Sequence, residues 1–461
     1  MSRAISGLLV AWAALAAQAA IAQEDNLVFI DQDGRDNTGQ ISQTGNLNQL
    51  GTETDPALQT GYYNLLELDQ TGVGNRVGTA GAGLDQDGQA ATPRVFNRVS
   101  IRQDSDGNLV GEVQQAALGA IPDGANRLDI LQTGGDGNLI GTVIQRQSDG
   151  MPGQYATVIQ FGGGNLVARV EQQSLTPANN GENSIRAEFI GDGNGAVALS
   201  GWALNSGAPS SGLVQTIGDD GLGANGNDID LFVRGNFNRY GVFQGGRLNS
   251  VGQITIEGDG NQLGIRQDGL ENDFTSSVIS GNGNDIGFEQ WGTNTAYLDV
   301  LGQSNDNRVS SFQDGTNDIR ILVDGHRNLV YARQDFLSGR GFSNGAEIEV
   351  TGADNALDLG QQGTNTARVI VTGDANNAGA FSAAALGLVA GQLVQAGLDN
   401  DMSAVIEGDG NLFAASQLGN GNLVQILVAG TANEAELLQS GNANAAGLRQ
   451  QGAGNRAVIS Q

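Results

Sequence analysis

Residues 395–461 read QAGLDNDMSAVIEGDGNLFAASQLGNGNLVQILVAGTANEAELLQSGNANAAGLRQQGAGNRAVISQ. Asparagine falls every 11 residues, at Asn400, Asn411, Asn422, Asn433, Asn444 and Asn455. Glycine stands three residues before each, at Gly397, Gly408, Gly419, Gly430, Gly441 and Gly452. Repetition at a fixed short period is the signature of a stacked architecture. The residues five before the asparagines run Gln395, Ile406, Gln417, Val428, Gln439 and Gln450, so the full repeat is mostly 22 residues in two similar halves.

Each half has room for one short strand and one tight turn, because Gly and Asn best tolerate the positive φ of a chain reversal. Alternation tests the strand, since neighbouring side chains point to opposite faces. Positions two, four and six after each asparagine give Met402, Ala404, Ile406; Phe413, Ala415, Gln417; Val424, Ile426, Val428; and Ala435, Leu437, Gln439. All are apolar except a terminal glutamine, and the intervening positions carry charge, as at Glu434, Glu436, Arg449 and Arg456. The same phase holds upstream at Val99, Ile101, Gln103 and at Tyr240, Val242, Gln244. A slip of one residue would turn every such set outward, so the register is strongly specified.

The pattern predicts an all-β fold, a β-solenoid of stacked ~22-residue strand-turn-strand rungs with irregular loop insertions. Residues 23–226 are the less regular part of this stack and 227–461 the more regular continuation. Insertions are expected near 78–96, 115–125, 145–159, 200–226, 335–345 and 377–394. Some 17 to 20 rungs spaced by about 4.8 Å would make a rod of about 80–95 Å. A solenoid grows by adding rungs, so 461 residues need not be divided into several cores. Hydrophobic residues at 39% are too many for a disordered linker despite 72 glycines.

Residues 1–22 differ in kind. Arg3, the apolar run Leu8–Ala20 and the small residues around Ala20 and Ala22 describe a signal peptide cleaved before Gln23. No membrane anchor is expected after cleavage. Cysteine is absent, and all 22 basic residues are arginine against 50 acidic ones, for a net charge of −28. Stability must then come from packing and ladders without disulfides. Nucleic acid is excluded as a partner, because phosphate recognition requires a basic stripe.

The spacing Q-x-G-x-x-N followed by a second glutamine resembles the curlin repeat of curli fibre subunits. It is seen in Gln32-Asp33-Gly34-Arg35-Asp36-Asn37, in Gln43-Thr44-Gly45-Asn46-Leu47-Asn48 and in Gln417-Leu418-Gly419-Asn420-Gly421-Asn422. The resemblance implies a secreted, extracellular subunit that self-assembles into amyloid fibres for adhesion and biofilm. It also implies a curli-type nucleator and an outer-membrane secretion machinery as partners. This chain departs from the pattern where Ile or Val replaces the second glutamine, as at Ile256, Ile279, Val371, Ile406 and Val428. It departs again where the turn is one residue short, as at Gln290–Asn294 and Gln361–Asn365.

Glutamines and asparagines repeating on successive rungs are placed to form amide ladders along the axis. The expected ladder and assembly residues are Gln395, Asn400, Asn411, Gln417, Asn422, Asn433, Gln439, Asn444, Gln450 and Asn455. Outward Asp401, Glu434 and Glu436 are read either as charges that repel sideways aggregation or as a solvated face. Asp106, Asp136, Asp192, Asp259 and Asp409 begin Asp-Gly-Asn triplets, which makes calcium a candidate ligand and turn geometry the competing explanation. No other cofactor and no catalytic residue is expected, because the single histidine, His326, sits in a turn without a nucleophile motif. Two alternatives stay open: a monomeric extracellular β-helix binder of glycans or surfaces, and a β-helix polysaccharide-degrading enzyme with paired carboxylates.

Overall fold

A computed structural model describes residues 25–88, 97–117, 126–147, 153–174, 182–217, 226–274, 277–300, 305–335 and 343–461. The proposed signal peptide lies outside the described residues.

Every pairing between named strands is parallel, and in the regular stretches a strand pairs with the next but one. Leu109–Ala117 lies beside Leu139–Gln147, while Arg127–Gly134 lies beside Tyr155–Gly162. Successive strands therefore alternate between two opposed faces, one rung contributing a strand to each. The register is held without a break through long stretches, for example Val110↔Ile140↔Val167 on the first face and Val99↔Leu128↔Ala156 on the second. Pairing also runs through residues 226 and 227, with Ile185↔Ile229 on one face and Leu213↔Val242 on the other. About seventeen rungs stacked at strand spacing make a rod of about 80 Å.

The alternation read from the sequence decides what is inside. Met402, Ala404, Ile406, Phe413, Ala415 and Val424 are fully buried, and one continuous core runs from Leu50 to Ala446. Its aromatic residues pack across rungs, with Phe189 stacked on Tyr240 at 4.7 Å and Phe274 edge-on to Phe288 at 4.9 Å. The buried Tyr240 hydroxyl donates to Leu166 O at 2.8 Å, which satisfies the polar end of an otherwise apolar side chain.

Most stretches expected to leave the stack contain strands of it. Residues 115–125 and 145–159 include the ends of Leu109–Ala117 and Leu139–Gln147 and most of Tyr155–Gly162. Leu84–Gly88 and Gly212–Ile217 likewise lie inside the expected insertions 78–96 and 200–226. Longer connections interrupt the Gly-Asn spacing without interrupting the ladder, since closing a longer loop adds little entropy cost. The short turns have the opposite effect: Asp285–Tyr297, Arg308–Arg320 and Ala356–Thr372 run through a corner as single long strands.

Two segments fold back on the outside of the first face. One contains helix α1 (Gly201–Asn205) and covers Gly241, Gly264 and Gly287, which occupy the same register on three successive rungs. The other spans 377–391 and covers Glu434 and Glu436. It falls within the insertion expected near 377–394.

Candidate functional site

The site is the set of polar columns that the repeat builds, and it starts at the turns. Gly419 has φ +114, and a Cβ there would stand 2.0 Å from Gly441 O on the next rung. Gly430 has φ +121, with Gly452 O at 1.9 Å from such an atom. Backbone conformation and close approach thus both require glycine. Gly397 and Gly408 meet the next rung in the same way, and Gly441 and Gly452 share the positive φ.

Tight turns bring each asparagine inward onto the one before it. Asn400, Asn422 and Asn444 stack at one corner, and Asn411, Asn433 and Asn455 at the other. Asn433 donates to Asn411 Oδ1 from both its backbone N (3.1 Å) and Nδ2 (3.0 Å), and Nδ2 also donates to Gly452 O at 2.9 Å. Asn422 repeats this on Asn400 Oδ1 and Gly441 O. One amide therefore ties together three rungs. Upstream the columns continue, for example through Asn138, Asn165, Asn194, Asn238 and Asn261.

Glutamine forms a third column, on the first face. Gln395 Nε2 donates to Gln417 Oε1 at 2.9 Å, Gln417 to Gln439 at 3.2 Å, and Gln439 to Gln461 at 3.0 Å. The same chain of bonds climbs from Gln32 through Gln59, Gln86, Gln115, Gln145, Gln172 and Gln215. Gln86, Gln115, Gln145 and Gln215 lie in or beside the longer connections. A glutamine two residues after a buried apolar position marks these rungs where the Gly-Asn spacing does not.

The second face changes character along the stack. Gln43, Gln70, Gln103, Gln132 and Gln160 form a ladder there. Phe189, Val233 and Ile256 then take the same register, and Ile406 and Val428 hold it near the end. Glutamine returns only at Gln450, which faces Val428. Its Oε1 is buried without a partner, because the rung before it has no amide to donate.

The amide-to-amide bonds of the two types run in opposite directions. Glutamine Nε2 donates to the glutamine of the following rung, whereas asparagine donates to the Oδ1 of the preceding asparagine while its Nδ2 also reaches a glycine carbonyl of the following rung. Among the described residues, the last strands Ala445–Ala453 and Arg456–Ser460 are paired on one side only. Asn444 and Asn455 there hold Oδ1 toward open edge, beside the amides of Gln450 and Gln461. At the other edge of the described residues, Gln32 and Gln43 donate to Gln59 and Gln70 and their Oε1 atoms accept no hydrogen bond from any described residue.

The outward acids divide. Asp401 is exposed, whereas Glu436 is 1% exposed and is no part of a solvated face. Its Oε1 accepts from Ala385 N at 3.2 Å and its Oε2 from Leu386 N at 3.0 Å, while Arg456 Nη2 sits 3.4 Å from Oε1. Glu434 accepts from Ser382 N and Oγ at 3.0 and 2.7 Å. The pair clamps residues 382–386 to the solenoid.

The aspartates of the Asp-Gly-Asn triplets accept a turn N–H from the rung before: Asp106 from Val73, Asp136 from Asp106, Asp192 from Gly163, Asp259 from Asn236 and Asp409 from Asp374. Among the described residues no group of three or more His, Asp or Glu side chains is arranged to hold a metal ion. His326 occupies its turn with Nδ1 3.3 Å from Asn305 Nδ2.

Parallel strands in long register, a thin apolar interior and continuous Asn and Gln ladders define a β-solenoid. Residues 430–461 match the family model of the Curlin associated repeat. Curlin family proteins are extracellular structural proteins that self-assemble. No curated protein and no solved structure matches the chain.

Proposed function

We propose that this protein is an exported, non-enzymatic subunit that adds end to end into extracellular amyloid fibres for adhesion and biofilm matrix. The observation that carries the reading is the complementarity of the two edges. Gln450 and Gln461 bring amide donors to one edge, where Gln32 and Gln43 bring acceptors to the other. Asn444 and Asn455 bring acceptors, where Asn26 and Asn37 bring N–H donors. Head-to-tail stacking continues every ladder, whereas head-to-head contact would oppose like groups and leave them unsatisfied. Unpaired parallel edges are templates for a further strand. A curli-type nucleator and an outer-membrane export machinery belong to the same reading, with Gln395, Gln417 and Gln439 and the asparagine columns as its structural residues.

The test blocks one edge without disturbing the stack. Asn444 O accepts from Leu423 N, and Gln461 N donates to Leu438 O, so by alternation along each of the two strands the N–H groups of Arg449 and Val458 point to the open edge. Proline at such positions removes an edge donor and no internal one. The double variant Arg449→Pro/Val458→Pro should keep the far-UV spectrum of the parent and fail to extend fibres in thioflavin assays. Extension at the parental rate by this variant would overturn the proposal.

A further inference from the structure

The α1 segment builds a feature that self-assembly does not use. It lies directly on backbone: a Cβ at Gly241, Gly264 or Gly287 would stand 2.1, 2.0 and 2.1 Å from Pro209 O, Ala203 O and Trp202 O. Asp285 pins it by accepting from Trp202 N and Ala203 N at 2.9 and 2.8 Å, and Gln262 Oε1 accepts from Ser200 N at 2.9 Å. On the next rungs the glycine register becomes Ser310 and then Tyr331. The roof stops there, and a groove of about 420 Å³ opens between its end and Tyr331.

Trp202 and Tyr331 both line the groove and meet edge to face, with ring centroids 6.3 Å apart. Phe312, Glu289, Arg333 and Asn205 line the remainder. Both large rings are only half-buried, so aromatic surface remains open to a ligand.

We propose that this groove binds a neutral β-linked glucose oligomer. Pyranose rings with equatorial hydroxyls present flat C–H faces that match aromatic faces, and their hydroxyls need donors and acceptors together. Asn205, Glu289, Arg333 and Ser310 supply both kinds within one groove. The volume lies in the range of small-ligand sites, about 300–1,000 Å³. One acid and one base in the groove, on a chain of net charge −28, disfavour a polyanionic glycan.

The test titrates cellohexaose into the soluble full chain by calorimetry, with polygalacturonate as the anionic comparison. Tyr331→Ala should weaken cellohexaose binding about tenfold, as expected for loss of one stacked ring. Tyr331→Phe should restore it to within about twofold, and Tyr297→Ala, an exposed ring outside the groove, should leave it unchanged. Trp202→Ala should weaken it as Tyr331→Ala does. Absence of heat with the parent at millimolar cellohexaose, tighter binding of polygalacturonate, or parental affinity in Tyr331→Ala would each overturn the proposal. Fibre growth by the same variants is read separately, so failure here is distinguishable from failure of the assembly reading.

Discussion

Replacing Asn411 by alanine removes one amide from the middle of a column and leaves the fold's outline untouched. The wild-type side chain donates from Nδ2 to Gly430 O (2.9 Å) and Asn376 Oδ1 (3.2 Å), and accepts at Oδ1 from Asn433 N and Nδ2. After the change Asn376 Oδ1 keeps the backbone N of residue 411, and Asn433 Nδ2 keeps Gly452 O. Gly430 O and the backbone N of Asn433 lose these partners. The buried Asn433 N left unsatisfied at about 2 kcal/mol and the half-buried Gly430 O at about 1 kcal/mol give about 3 kcal/mol, or about 10²-fold in local opening. Because a solenoid couples mainly between neighbouring rungs, the effect belongs in local hydrogen exchange. Peptides covering 423–440 in the monomer should exchange about 10²-fold faster, while those covering 97–117 stay unchanged. Asn444→Ala, on the exposed last rung, loses one bond to Ser440 O at 3.2 Å and should cost about 1 kcal/mol or less. Equal acceleration by the two variants in the monomer would refute the ladder account.

Acidification should stabilise the fold before it harms it. Burial raises the carboxyls of Asp228, Asp273 and Asp358 above the ordinary range, so the folded state holds their protons more tightly than the unfolded chain. Their contribution is fully present below the unfolded value near ~3.9 and is lost as pH rises through the folded values. Asp55, hydrogen-bonded by Gly81 N, and Asp354, hydrogen-bonded by Arg327, are lowered; their contribution is present above the unfolded value and lost as pH falls through their folded values. Thermal midpoints should therefore be higher in mildly acidic buffer than at pH 7, and a midpoint that falls steadily from neutrality would contradict this. Glu436→Ala should release Ala385 and Leu386 while Ser382 stays on Glu434, at a local cost of about 2–4 kcal/mol, and speed proteolytic cleavage there while the stack stays resistant. An unchanged digestion pattern would show that the carboxylate is no clamp.

The strand pattern was legible because period-two alternation and the Gly-Asn corner are both set locally. Phe413 and Ile426 could be placed inside by counting from Asn411 and Asn422, and the ladders follow from that count. Gln115, Gln145 and Gln215 were harder, since each is followed by a connection of irregular length. Their membership depends on partners about 30 residues away. The role of Glu436 had no local signature: it reads as an exposed strand position, and only the return of residues 382–386 buries it. The α1 groove was equally silent, because Gly241, Gly264 and Gly287 look like repeat variation until one segment is seen to cover all three.

The opposed directions of the two amide ladders bear on how long such a rod can become. Amide dipoles aligned head to tail in one sense would build an axial field as rungs accumulate, as peptide dipoles do in a helix. Here the amide-to-amide bonds of the glutamine column run one way and those of the two asparagine columns the other, and parallel strands contribute little net moment. Lengthening therefore adds polar bonds whose dipoles partly offset one another. Polarity of addition is then set mainly by the few atoms of each end rung, and the face presented to the next subunit changes less with length than it would in a stack of ladders aligned in one sense.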